Sequence, residues 1–247
     1  MIKMINQENY EDFFSEVRNS QVFNEVMNTY NVQLVFLGGS RALGYANETS
    51  DYDIVCWIDD PDLNLLYANK NLKLSNYPHA HMFIHSIQAS YGIFTEDPQF
   101  ADWYGILLGI MQQVKPKYLI YQSERIHPLI SFFWDNIQPL SEIALYKCLT
   151  YTKWDLQALA KTKEENLDPK IYYYLISAYD AINHTQHKDL IHTIRQKRTK
   201  TREQQEQLVS IINELWDFFE NYDDNKYFTL KYEMEDLRHG YSNTNHE

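Results

Sequence analysis

Three of the seven glycines in the chain, Gly38, Gly39 and Gly44, fall within seven residues, and two aspartates, Asp51 and Asp53, follow shortly after. Glycine is used where backbone must bend sharply or approach another group closely. The Gly38-Gly39-Ser40 turn offers backbone N–H groups and a hydroxyl at a tight bend, a cradle suited to phosphate oxygens. Acids at i and i+2 of an extended segment project to one face. Two such carboxylates repel each other unless a cation sits between them. Mg²⁺ is held this way, by one or two carboxylates with substrate phosphates completing its shell. The implied chemistry is that of a metal-bound nucleoside triphosphate. Taken singly, a Gly-Gly-Ser turn and an Asp-x-Asp are ordinary structural features. Their order, with strand-like sequence on both sides, makes them a candidate site.

The elements that must position these residues follow from the hydrophobic pattern. Residues 32–37, Val-Gln-Leu-Val-Phe-Leu, read as a buried strand leading into the turn. Residues 38–50 form a Gly/Ser/Asn turn region with room for one short helix. Residues 52–58, Tyr-Asp-Ile-Val-Cys-Trp-Ile, read as a second strand closed by Asp59-Asp60-Pro61; a loop with room for a short helix follows, and residues 80–88 read as a third strand. Upstream, Tyr10, Phe13, Phe14, Val17, Val22, Phe23 and Val26 recur with helical spacing, so residues 8–29 are expected to be helix. Helices near 100–113 and 125–136 flank a short strand at 117–121. All seven prolines lie at or before Pro169. From about 141 the chain reads as helix, over 141–162, 169–184, 188–197 and 203–221, with a polar end from about 238. The expected fold is α+β: a small mixed β-sheet flanked by helices over residues 1–140, followed by an all-α C-terminal domain over residues 141–247.

The string Gly-Ser-Arg-Ala-x-Gly-Tyr-Ala at residues 39–46, with Ser50-Asp51-Tyr52-Asp53, resembles the signature of the DNA polymerase β-like nucleotidyltransferase superfamily. It looks most like the RlaP/YcgL-type predicted nucleotidyltransferases. The resemblance implies that Gly38, Gly39, Ser40, Arg41, Gly44 and Ser50 bind the nucleotide, with ATP favoured. It implies that Asp51 and Asp53 ligate Mg²⁺ or Mn²⁺ and are catalytic. The reaction would be attack of an acceptor hydroxyl on the α-phosphate with release of pyrophosphate. Arg41 would add charge near the phosphates; a packing role is the alternative.

The superfamily usually carries a third carboxylate on a later strand. Here that strand, Ala80-His81-Met82-Phe83-Ile84-His85-Ser86, has no acid. His81 stands nearest the expected position and is the third catalytic candidate, able as an imidazole to ligate a metal or take a proton. His79 and His85 are lesser candidates. The acid could instead come from Glu96, Asp97 or Asp102. Without it, the chain reads alternatively as a catalytically degenerate nucleotide-binding or interaction protein.

The formal net charge is −12, which argues against a nucleic-acid grip through the overall field. One local exception is Arg195, Lys197, Arg198, Lys200 and Arg202, a basic run that could contact RNA as acceptor or serve only as a solvated helix end. The two cysteines, Cys56 and Cys148, are distant and form no CxxC, so neither a zinc site nor a disulfide framework is expected. Acidic residues near the N-terminus speak against a signal peptide, and no apolar run approaches a membrane span. A cytoplasmic location, with no membrane partner, is the expectation. The 20 tyrosines are spread along the chain, as packing residues would be.

Overall fold

The computed structural model describes residues 10–44, 46–59, 67–87, 115–143, 182–196 and 198–230, with single positions between 145 and 180 and from 232 to 237. These fall into two compact units. One holds the described parts of Met1–Tyr91 and Gln112–Asp135, the other those of Asn136–Met234.

The first unit is built on a five-stranded mixed sheet of order β3-β4-β2-β1-β5. Its strands are β1 (Val32–Leu37), β2 (Tyr52–Ile58), β3 (Tyr67–Leu72), β4 (Ala80–Ser86) and β5 (Leu119–Gln122). β1 pairs antiparallel with β2 and β5, β2 pairs parallel with β4, and β3 antiparallel with β4. The C-terminal end of β1 and the N-terminal ends of β2 and β4 therefore meet at one edge of the sheet.

Alternation divides the strands between two faces. Val35 and Leu37 of β1, Tyr52, Ile54, Cys56 and Ile58 of β2, and Met82 and Ile84 of β4 share one core. That core is closed by α1 (Glu11–Arg18) and α2 (Gln21–Thr29), which contribute Phe13, Phe14, Val17, Phe23 and Val26. On the opposite face Trp57 meets Phe36 edge-on at 6.2 Å and Phe133 at 5.9 Å. Phe133 lies on a helix over His127–Asp135 whose Leu129 and Ile130 are also buried. All six residues of β1 are buried, which explains its largely apolar sequence; its one polar side chain, Gln33, donates to Asn31 Oδ1 at 2.8 Å and accepts from the Ser123 hydroxyl at 2.5 Å.

The helix expected over residues 8–29 is two helices. Ser20 is extended and its hydroxyl accepts from the Phe23 N–H at 3.2 Å, an N-cap that starts α2 afresh. Ser20 was the available signal, masked by an apolar stripe that continues across the break. β3, Tyr-Ala-Asn-Lys-Asn-Leu, is a strand where only a loop or short helix was expected. Among the described residues it pairs on one side only, and an edge strand tolerates polar residues that hide the usual alternation. The strands read at 32–37, 52–58 and 80–88 are present, the last ending at Ser86. The helix expected near 100–113 and most of those over 141–162 and 169–184 lie outside the described residues, as does the chain end.

In the second unit two helices stand where the pattern puts them, over Lys188–Arg195 and Arg202–Glu220. Thr201 and Gln204 form a reciprocal capping box at the start of the latter. Gln204 also donates to the Thr193 hydroxyl at 3.0 Å, tying the two helices together. No helix among the described residues is long and apolar enough to cross a membrane. The fold is thus α+β, with helices in the C-terminal region.

His85 lies opposite Trp57 and Tyr67 within the sheet and is 4% exposed. Burial pushes its imidazole down from the ordinary 6.5 to about 4. The folded chain therefore holds it neutral, while the unfolded chain takes up a proton near 6.5. Its stabilising effect is complete above that pH and is lost as the pH falls towards 4, by about 3 kcal/mol at most. His85→Leu should flatten the decline in urea midpoint between pH 6.5 and 4, measured by circular dichroism. An unchanged slope would mean that other groups control acid stability.

Candidate active site

The sheet edge described above is where the turn and the acid pair come together. β1 ends at Leu37, and pairing continues for one residue: the Gly38 N–H donates to the Asp53 carbonyl at 2.7 Å. Gly39 then adopts φ +64°, the left-handed region that glycine enters without steric cost. A short helical turn, α3 (Gly39–Ala42), begins there and has no side-chain cap. Gly44, at φ +80°, ends it, its N–H donating to the Arg41 carbonyl at 3.2 Å.

Gly39 lies directly against the Asp53 side chain. A Cβ at position 39 would come within 2.9 Å of Asp53 Cβ, 2.8 Å of Cγ and nearer still to Oδ2. Both the backbone conformation and the space require glycine. The turn and the second aspartate are thus one packed unit, and the carboxylate borders the turn.

Asp51 is exposed and Asp53 half-buried, while Tyr52 between them is 4% exposed and belongs to the core. With Tyr52 turned inward, alternation places Asp53 on the other face of β2, while Asp51 stands just before the strand begins. The Tyr52 ring contacts Phe13 at 5.0 Å and Tyr77 at 5.4 Å. Its N–H donates to the His79 carbonyl at 3.0 Å, and His79 holds φ +64°. This bond joins the entrances of β2 and β4.

Arg41 lies over Tyr52, its guanidinium carbon 3.6 Å from the ring centroid. Its Nε donates to the Asp51 carbonyl at 3.0 Å, and a terminal N–H donates to the Ser50 carbonyl at 2.5 Å. Burial lowers its pKa, while the nearby Tyr52, Tyr10, Asp53 and Asp51 act in the opposite direction. The group remains a cation, as guanidinium does in proteins. Ser50 is likewise engaged. Its hydroxyl accepts from the Asn47 N–H at 2.8 Å and donates to Asn47 Oδ1 at 2.9 Å. Asn47 Oδ1 also accepts from the N–H and hydroxyl of Thr49, both at 3.0 Å. Asn47 and Tyr52 are the two organising residues that reading by motif alone passed over. The spacing Asn-x-Thr-Ser was the signal for the first, since Asn commonly bonds to backbone two residues on. The inward half of the alternation was the signal for the second.

His81 is the register partner of Asp53 across the parallel pair of β2 and β4. It is half-buried, and its Nδ1 is shielded from solvent without a hydrogen-bond partner among the described residues. Among the described residues, no three His, Cys, Asp or Glu side chains converge as a ready-made metal cluster. Glu96, Asp97 and Asp102 lie outside those residues. The oxygen pair Asp51 and Asp53 nevertheless suits a hard divalent cation whose remaining ligands come from phosphate and water.

The basic run lies in the second unit. Arg195 is in the last turn of one helix, and Arg202 opens the next, paired with Glu206 at 2.9 Å. Arg198 donates its N–H to the Thr193 carbonyl at 3.0 Å, and Lys197 lies outside the described residues.

Residues 20–88, from α2 through β4, match the family model described as a nucleotidyltransferase domain. The match contains the turn, the acid pair and His81. Among solved structures the chain is similar to a nucleotidyltransferase-like protein from Exiguobacterium sibiricum 255-15. The identity is 11%, the alignment covers 92% of this chain and 73% of the other, and the TM-score is 0.34. A likeness at that score carries no argument. No curated protein matches the chain.

Gly39→Ala should cost about 2–5 kcal/mol, combining about 1–2 for left-handed backbone with about 1–3 for overpacking against Asp53. The second contribution depends on the aspartate side chain, so the same change should cost less in an Asp53→Ala background. Urea midpoints of the four proteins in this cycle measure the coupling. Equal costs in both backgrounds would refute the contact.

Proposed function

We propose that the chain is a metal-dependent nucleotidyltransferase that moves a nucleoside monophosphate from a nucleoside triphosphate to an acceptor hydroxyl. The observation that carries this reading is the packing of Gly39 on the Asp53 carboxylate. It makes the glycine turn and Asp53 neighbours rather than separate features. The match of residues 20–88 to a nucleotidyltransferase domain supports the same reading.

In this scheme Gly38, Gly39, Ser40 and Gly44 form the turn that receives the triphosphate. The start of α3 supports that assignment, because its N-cap is Gly38, which offers backbone and no capping side chain. Asp51 and Asp53 would hold Mg²⁺ or Mn²⁺, which, when bound, supplies charge neutralisation at the phosphates and a lowered pKa for the attacking hydroxyl. Ser50 shapes the approach to Asp51 through its bonds with Asn47. His81, one strand away from Asp53, is the candidate for the third polar group. The remaining contribution of the protein is alignment: the acceptor oxygen must face the α-phosphate with pyrophosphate as the opposite, departing group. ATP is the favoured donor. The resemblance to the RlaP/YcgL-type proteins belongs to this proposal, as do a cytoplasmic location and a helical domain beginning near residue 141. RNA is one acceptor class, through Arg195, Lys197, Arg198, Lys200 and Arg202; a protein side chain or a small molecule is equally consistent with the turn and acid pair.

The test is incubation of the purified chain with each of the four α-labelled nucleoside triphosphates, Mg²⁺ or Mn²⁺, and a cell extract. Label should move to one acceptor class. The double change Asp51→Ala with Asp53→Ala should abolish transfer while leaving the far-ultraviolet circular dichroism unchanged. Transfer that survives the double change would overturn the mechanism. Triphosphate binding with no transfer to any acceptor would favour the degenerate binding protein instead.

A further inference from the structure

We infer that Arg41 is a positioning residue: it sets the geometry and metal affinity of the Asp51/Asp53 pair from behind, through the backbone and Tyr52, rather than by binding the triphosphate. The inference rests on the reading of Asp51 and Asp53 as metal ligands.

Two of the five guanidinium N–H donors are committed to the carbonyls of Ser50 and Asp51. Those carbonyls belong to the two peptide units on either side of the Asp51 Cα, so their direction determines where its carboxylate can go. One face of the guanidinium plane is covered by the Tyr52 ring at 3.6 Å. Tyr52 is itself fixed, packed against Phe13 and Tyr77 and bonded through its N–H to the His79 carbonyl. A route of contacts thus runs from the α1 core through Tyr52 and Arg41 to the backbone of Ser50 and Asp51. Arg41 also has a second, purely electrostatic effect. Paired carboxylates repel before a metal arrives, and Arg41, whose charge both acids favour, acts against that repulsion. Lysine would retain the charge but not the planar fork and the stacked face.

Arg41→Lys and Arg41→Met are the diagnostic variants, studied in the full chain. Mn²⁺ binding to nucleotide-free protein is followed by the electron paramagnetic resonance signal of free Mn²⁺, and amide hydrogen exchange is followed over residues 38–53. Partners that orient metal ligands typically change metal affinity about 10–100-fold when altered, so Arg41→Lys should weaken Mn²⁺ binding at least about tenfold. It should also speed exchange of the Gly38 and Tyr52 amides, and lower kcat more than it raises the KM for the triphosphate. Unchanged Mn²⁺ affinity and unchanged exchange, with a raised KM alone, would overturn the inference and make Arg41 a phosphate ligand. Faster exchange in Arg41→Lys, with a wild-type chain that binds no Mn²⁺, would retain the positioning role and overturn the nucleotidyl-transfer reading. Tyr52→Leu should reproduce the loss of Mn²⁺ affinity if the stacked ring transmits the effect, whereas Tyr52→Phe should retain most of it.

Discussion

A missing side chain at position 39 is the constraint on which the first unit depends. Gly39 brings backbone against the Asp53 carboxylate, and the Gly38 N–H reaches the Asp53 carbonyl at 2.7 Å. The chain can therefore leave β1, turn through α3 and return as β2 without opening a gap at the sheet edge. Any L side chain at this point would push the acid away or pull the turn off the sheet. The same closeness borders the acid with the donors of the turn. Fold closure and site assembly are in this respect a single contact.

The inward half of β2 does the complementary work. Tyr52 interrupts the two aspartates in sequence and anchors them in space, because its ring is buried among Phe13 and Tyr77 while its backbone pairs with His79. Phe13 is fully buried and belongs to α1, so its contact with Tyr52 links the helical layer to the site. The acids themselves stay on the solvent-facing side, where hydration limits the cost of their charge. Rigidity comes from the core and charge remains at the rim, an arrangement that lets a polar site be precise without being buried.

Much of this was legible in the sequence because the strongest signals are local. The apolar run of β1, the alternation of β2 and the glycine cluster each announce themselves within a few residues. β3 did not, because an edge strand need not alternate and its Asn-Lys-Asn looks like loop. The break between α1 and α2 was hidden by an apolar stripe that serves the same core on both sides of Ser20. Arg41 was legible as a charge near the site but not as a clamp. Its partners are two backbone carbonyls and an aromatic face, and backbone carbonyls carry no sequence signal. His81 falls between these cases: the strand and its face could be read, whereas its place beside Asp53 required the parallel pairing of β2 with β4.

The charge of the chain bears on how a triphosphate would be captured. At −12, the protein field opposes an anionic substrate at long range. In the proposed function attraction would then be short-ranged, from N–H groups at the turn and from a cation held by Asp51 and Asp53. Arg41 does not reverse this, since its guanidinium is turned to the Ser50 and Asp51 carbonyls and to Tyr52. The basic run in the second unit is accounted for in part by local structure. Arg195 occupies the last turn of a helix, where cations are favoured, and Arg202 pairs with Glu206 at the start of the next. That ion pair is highly exposed, with Arg202 at 92%, so it is weak and leaves the cation accessible to solvent. An RNA acceptor would have to draw on such exposed cations, and its binding would be strongly salt-dependent. A small or protein-borne hydroxyl would place no such demand on an acidic surface. In the proposed reaction the donor half would rest on a compact turn-and-acid unit, while an RNA acceptor would depend on a basic run of which Arg195 and Arg202 already have local helix-end roles.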